Sequence, residues 1–329
     1  MGHEASEAPR LSAGSRSPRR GSASPQRDAT TDTDSDSGAA QPSANASSGG
    51  WLASLRQRLG SAAILIPLVI GIVYCGGWIA FAAAIIFLGL GAWELSQLFA
   101  NKGWRPQIII SVALGIDFLC AAMFPDQRLA IISGGVSASV ILSFTSALFA
   151  RESFDDALRD WALTLAIPFY LGWPLALFLA LRGPVFGFGS NGFWWLVAIF
   201  GMVWANDAAA YFTGHYLGKT KLAPRISPAK TWEGFAGGLV WTIIAAFVLT
   251  GLTPLQLPWY SWLSLGALTT VAATLGDLSE SMLKRGVGAK DSGQLIPGHG
   301  GILDRMDSLL FAVIVVAVYA SFYDTALLR

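Results

Sequence analysis

The sequence predicts an all-α, polytopic membrane helix bundle of about nine transmembrane helices, preceded by a disordered N-terminal tail. Three observations predict it. Of the 329 residues, 53% are hydrophobic and only 13% charged, and the mean hydropathy is +0.52, values that belong to chains solvated largely by lipid. Apolar stretches approaching the roughly 20 residues needed to cross a bilayer recur from residue 60 to the C-terminus. The cations between those stretches are divided very unequally from one connection to the next.

Residues 1–50 are rich in Ser, Pro, Arg, Asp and Gly and hold almost no large apolar side chains. Such a segment buries too little surface to offset the entropy of ordering it, so it reads as a disordered cytoplasmic tail. It lacks the apolar centre of a signal peptide. Residues 51–329 read as a single membrane-embedded domain. Its apolar stretches are 60–76, 78–99, 106–124, 128–150, 161–181, 192–213, 234–252, 261–283 and 306–323. The first two are divided only by Gly76 and Gly77, and the fourth is diluted by Ser and Gly.

With the N-terminus in the cytoplasm and nine crossings, inside connections carry fourteen cations and outside ones only Arg128, Arg182 and Arg329. That bias sets the orientation. It places the two cation-rich loops, around 214–234 and 283–306, in the cytoplasm, where nucleotides are available. A net charge of +1 gives no bulk field for nucleic acid. Cys75 and Cys120 lie in separate apolar stretches without metal-ligand spacing. HExxH is absent, which argues against a zincin site.

The loop 214–234 reads GHYLGKTKLAPRISPAKTWEG. It is not a P-loop, because only three residues separate Gly214 from Gly218 and no strand is evident before it. Ser227 suits a helix N-cap and Pro228 the first helical position, which would set Lys230 in the first turn. A helix N-terminus with Lys219, Lys221, Arg225 and Lys230 would take phosphate. The same cations could instead serve topology and meet lipid headgroups.

Acidic residues inside the apolar stretches form a second group. Asp207 follows Asn206 in WANDAAAYFTG, and Asp277 and Glu280 lie in LGDLSESMLKR. Asp277, Glu280, Ser281 and Lys284 share one helix face. Intramembrane carboxylates are costly and usually line a polar cavity or pair. Glu94 and Asp117 also lie within spans, where each could simply bond a neighbouring helix. In DRMD, Asp304 and Asp307 open the last span, a position the helix dipole favours by itself. Yet Asp277 and Asp304 come from helix ends on one membrane face, and two carboxylates meeting phosphates is a common way to hold Mg²⁺. His299 stands among Gly298, Gly300 and Gly301, where backbone can approach a ligand closely.

The run 281–307, SMLKRGVGAKDSGQLIPGHGGILDRMD, resembles the signature of phosphatidate cytidylyltransferases (CDP-diglyceride synthases). Ser281, Lys284, Arg285, Lys290, Asp291, Pro297, His299, Gly300, Gly301, Asp304, Arg305 and Asp307 match it, and DAAAYFTGHYLGKTKLAPRISPAKTWEG upstream is similar to the family's second motif. The resemblance covers roughly 60–325 and says nothing of the tail. It implies transfer of CMP from CTP to phosphatidate, releasing pyrophosphate, in a multi-pass protein of the bacterial plasma membrane. It leaves room for a homodimer. Asp277 and Asp304 would hold Mg²⁺, with Asp207 and Asp307 as additional ligands and room for a second cation. Lys230, Lys284, Arg285, Lys290 and Arg305 would clamp phosphates, and His299, Gly300 and Gly301 would shape the nucleotide site. A CTP-dependent polyprenol kinase is the nearest rival. A transporter would need a polar path through the bilayer, whereas the chemistry here gathers on one face.

Overall fold

The computed structural model describes residues 64, 66–150, 153–183, 190–289, 292–293 and 301–323. The expected tail, together with Lys290, Asp291, Pro297, His299 and Gly300, lies outside the described residues. The helices are α1 (Ile66–Cys75), α2 (Gly77–Ala100), α3 (Ile108–Met123), α4 (Arg128–Ala150) and α5 (Phe154–Ile167). They continue with α6 (Trp173–Arg182), α7 (Asn191–Leu217), α8 (Trp232–Ala246), α9 (Trp259–Gly286) and α10 (Leu303–Tyr323). A π-turn at Pro168–Gly172 joins α5 to α6. Proline has no N–H for the α-ladder, and the helix widens there without stopping.

Among the described residues, six helical segments are long and apolar enough to cross a membrane: Gly77–Ala100, Pro125–Phe149, Phe154–Arg182, Asn191–Leu217, Trp232–Gly251 and Leu303–Tyr323. Helices α1 and α3 are shorter. Helix α9 has the length, but its last third carries Asp277, Glu280, Lys284 and Arg285. Large apolar side chains such as Ile109, Leu129 and Phe149 stand exposed on the outer faces. That surface suits contact with hydrocarbon rather than water.

Two apolar clusters hold the bundle. One centres on α7, where Trp195, Leu196, Ile199 and Met202 pack with Ala312 and Val316 of α10. The other joins Leu88 and Leu95 of α2 to Leu114 and Leu119 of α3 and to Leu303 and Leu310 of α10. Helix α10 therefore contributes to both. Helix α8 presents Gly234, Gly237 and Gly238 to α7, where Ala210, Thr213 and Asn206 fill the space a Cβ would need. Small residues of this kind let helix backbones approach closely in a bilayer. The buried guanidinium of Arg182 donates to the carbonyls of Val73 and Tyr74 and to Ser190 Oγ, tying the end of α1 to α6 and the start of α7.

Among the described residues the fold departs from all-α at one place. Strand β1 (Lys221–Ala223) pairs antiparallel with β2 (Ser227–Thr231). The helix expected to begin at Ser227 starts instead at Trp232, capped by Thr231, whose hydroxyl accepts the Gly234 N–H at 3.1 Å. Two forces explain the shift. The residue before a proline avoids helical backbone, which favours extended structure at Ser227. The ladder with β1 also gives the backbone partners that a helical first turn would leave unmet.

Candidate active site

The hairpin is fastened to α8 by Glu233, whose carboxylate accepts the Thr220 N–H at 3.1 and 3.2 Å. This sets Lys230, near the end of β2, over the polar end of α9. Lys230 Nζ lies 2.6 Å from Asp277 Oδ2. Ser281, one turn on, donates to Asp277 Oδ1 at 3.4 Å. Lys284 then bridges two carboxylates, Glu280 at 3.1 Å and Asp304 at 2.6 Å. The expected one-face grouping of these α9 residues is thus realised as paired contacts.

Asp304 is held from several sides. Besides Lys284 on Oδ1, its Oδ2 accepts the Gly301 N–H at 2.9 Å and the Ser292 hydroxyl at 2.9 Å. Asp307 accepts the Ser308 N–H at 2.6 Å, and Asp207 accepts from Asn206 Nδ2 at 3.2 Å. Asp207, Asp277, Asp304, Asp307, Ser227 and Lys230 all line one cavity of about 710 Å³ between the hairpin and the ends of α7, α9 and α10. That volume is in the range of small-molecule sites. The polar lining is acidic on the helix side and cationic on the hairpin side.

The donor chemistry of this cavity fits a hard divalent cation. Its carboxylates come from three helices, and Mg²⁺ needs only one or two of them when substrate phosphates supply the rest. Among the described residues no three His, Cys, Asp or Glu side chains converge as a ready-made cage. Lys230 and Lys284 each engage one oxygen of Asp277 and Asp304.

Other expected site residues lie elsewhere. Lys219 and Arg225 are exposed and do not line the cavity. Arg285 reaches the carbonyls of Ile226 and Ala289, joining the hairpin turn to the end of α9. Arg305 borders a separate apolar cleft of about 360 Å³, with Val69 of α1, Ala84 of α2 and Leu175 of α6. Gly301 enters through its N–H to Asp304. Two aromatic residues not singled out from the sequence, Tyr211 and His215, also line the cavity, with their rings stacked at 6.1 Å. Their spacing from Asp207, at i+4 and i+8 on α7, was the available signal.

A second finding is Glu94 of α2. It is 1% exposed, and its carboxylate accepts the N–H groups of Ile302 and Leu303 at 2.8 and 2.9 Å. The helix-to-helix bond open to it from its place in a span is thus a cap on the start of α10.

Residues 56–323 match the model of the cytidylyltransferase family. Among curated proteins, the chain is 34% identical over 283 residues to a phosphatidate cytidylyltransferase of Haemophilus influenzae, covering 79% of this chain and 96% of that one. It is 33% identical over 235 residues to the phosphatidate cytidylyltransferase of Bacillus subtilis, covering 70% and 85%. With that of Synechocystis it shares 35% identity over 288 residues, covering 79% and 94%. A match spanning most of the chain, shared by the hairpin, α9 and α10 that build the cavity, leads to one conclusion: this chain belongs to the cytidylyltransferase family.

Proposed function

We infer that the protein is a phosphatidate cytidylyltransferase, transferring CMP from CTP to phosphatidate to give CDP-diacylglycerol and pyrophosphate. The observation that carries this reading is the cavity in which Lys230 faces Asp207, Asp277, Asp304 and Asp307, in a chain whose curated relatives bear that name.

The chemistry asks little of a general base. A phosphomonoester is already ionised at neutral pH, so the lipid phosphate can attack the α-phosphorus directly. The protein must bring two polyanions together and stabilise charge on the leaving pyrophosphate. Lys230 and Lys284 would exchange carboxylate contacts for phosphate oxygens as substrate enters, and Lys290 would join them. Asp277 and Asp304 would hold Mg²⁺, with Asp207 and Asp307 in reserve for further coordination. When bound, that ion would neutralise the triphosphate and polarise the reacting phosphorus. His299, Gly300 and Gly301 would shape the nucleotide end of the site.

The cation bias supports about nine crossings with the cavity opening to the cytoplasm, in a bacterial plasma membrane. Lipid tails then stay in the bilayer while the headgroup enters from the side. The test uses purified protein, phosphatidate, Mg²⁺ and CTP labelled separately at the α- and γ-phosphates. Label from the α-position should enter the lipid and γ-label should leave as pyrophosphate. Entry of γ-label into lipid would instead make the protein a CTP-dependent lipid kinase.

A further inference from the structure

Glu94 is a carboxylate on a transmembrane helix, far in sequence from every cavity residue and with no place in its lining. Its two oxygens are divided between the two N–H groups that begin α10, from residues 208 and 209 positions away. Those N–H groups have no partner inside their own helix, so an outside acceptor must meet them. A negative charge at that end is also favoured by the helix dipole.

The surroundings are built around this side chain. A Cβ on Gly301 would come within 2.7 Å of both Glu94 oxygens, and one on Gly293 within 2.8 Å of Oε1. Both glycines thus leave room for the carboxylate. The residue after the two capped amides is Asp304, which Gly301 and Ser292 also hold. One helical turn after Asp304 comes Asp307.

We propose that Glu94 is a positioning residue for the transfer reaction: it fixes the start of α10 so that Asp304 faces the cavity. The proposal rests on the reading of that cavity as the reacting site. Glu94→Gln keeps the shape but offers only one acceptor oxygen, so one buried N–H loses its partner.

The test measures backbone amide exchange over 301–308 together with kcat and KM in the full-length protein. Glu94→Gln should speed exchange there and lower kcat about 10- to 100-fold, the scale of a small misplacement of reacting groups. KM for CTP should stay within about 3-fold, since uniform binding is not what is lost. In an Asp304→Asn background the same substitution should cost less than about 2-fold, because groups acting as a unit are not additive. Gly293→Ala presses on Glu94 from the other side and should reproduce the pattern. An unchanged kcat in folded variants overturns the proposal. So does a full loss that persists in the Asp304→Asn background, or failure of both single variants to fold. If the unaltered protein transfers no label from CTP, the functional reading fails, and the exchange contrast alone decides whether Glu94 holds the helix.

Discussion

Lys230 Nζ and Asp277 Oδ2 lie 2.6 Å apart, so the hairpin and helix α9 meet at a charge pair on the wall of the cavity. In the sequence these residues belong to two separate motifs. In the fold they form one surface, and either charge is available to an incoming phosphate or cation if the pair opens.

Lys230→Ala should lower kcat/KM for CTP by about 100-fold, because it removes a cation directed at dense negative charge. The pair is partly exposed, with side chains at 24% and 33%, so stability should change by no more than about 1 kcal/mol. Lys230→Arg should restore part of the activity. Steady-state kinetics beside a thermal unfolding curve in detergent separates the two effects. Unchanged kinetics in Lys230→Ala would remove the hairpin from the site.

Asp277→Asn and Asp304→Asn should each nearly abolish turnover, since loss of a cation ligand removes several kcal/mol of charge stabilisation by the general estimate. Their stabilities should differ. Asp304 is held by Lys284, Gly301 and Ser292, and its pair with Lys284 is mostly buried at 12% and 17% exposure. Its substitution should cost about 3 kcal/mol, as for breaking a buried pair. Asp277→Asn should cost about 1 kcal/mol, as for a pair nearer solvent. Near-normal turnover by folded Asp304→Asn would exclude it as a ligand.

Much of this site was legible in the sequence because charge inside apolar stretches is costly and therefore informative. Asp207 and Asp277 could be collected on that ground, Asp304 and Asp307 from their place in the DRMD motif that opens the last span, and all four share one cavity. The hairpin was not legible, because Ser-Pro at 227–228 fits a helix start as well as an extended strand. Thr231, followed by Glu233 in the first turn, was the competing cap signal, and pairing with β1 decided between them. Glu94 was readable as a costly residue but not as a cap, since its partners follow in the chain only after seven further helices. Arg305 shows the converse limit. A cation beside Asp304 in sequence points a different way on the helix and borders the apolar cleft.

Orientation can be checked without activity. A cysteine replacing Ser227, on β2 at the cavity edge, should react with a membrane-impermeant thiol reagent only once the cytoplasmic face is opened. The cation bias predicts this. Cys75 and Cys120 should first be replaced to remove background. Ready labelling from outside intact cells would reverse the orientation.

Gly276 tests how closely α9 and α10 must approach. It is buried immediately before Asp277, and a Cβ there would overlap the Asp307 carbonyl oxygen and meet the Phe311 ring at 3.2 Å. A backbone carbonyl inside a helix cannot swing aside as a flexible side chain can, so Gly276→Ala must push the helices apart. The displacement falls at the level of Asp277 of α9 and Asp307 of α10, both of which line the cavity. Overpacking of this kind should cost about 1–3 kcal/mol of stability. The shifted carboxylates should lower turnover about 10- to 100-fold. Gly89→Ala in α2 is the control, because a Cβ there meets nothing within 4 Å. It should leave turnover unchanged and add about 0.5–1 kcal/mol through the backbone entropy of glycine. Equal behaviour of the two variants would mean that the α9–α10 contact does not set the site geometry.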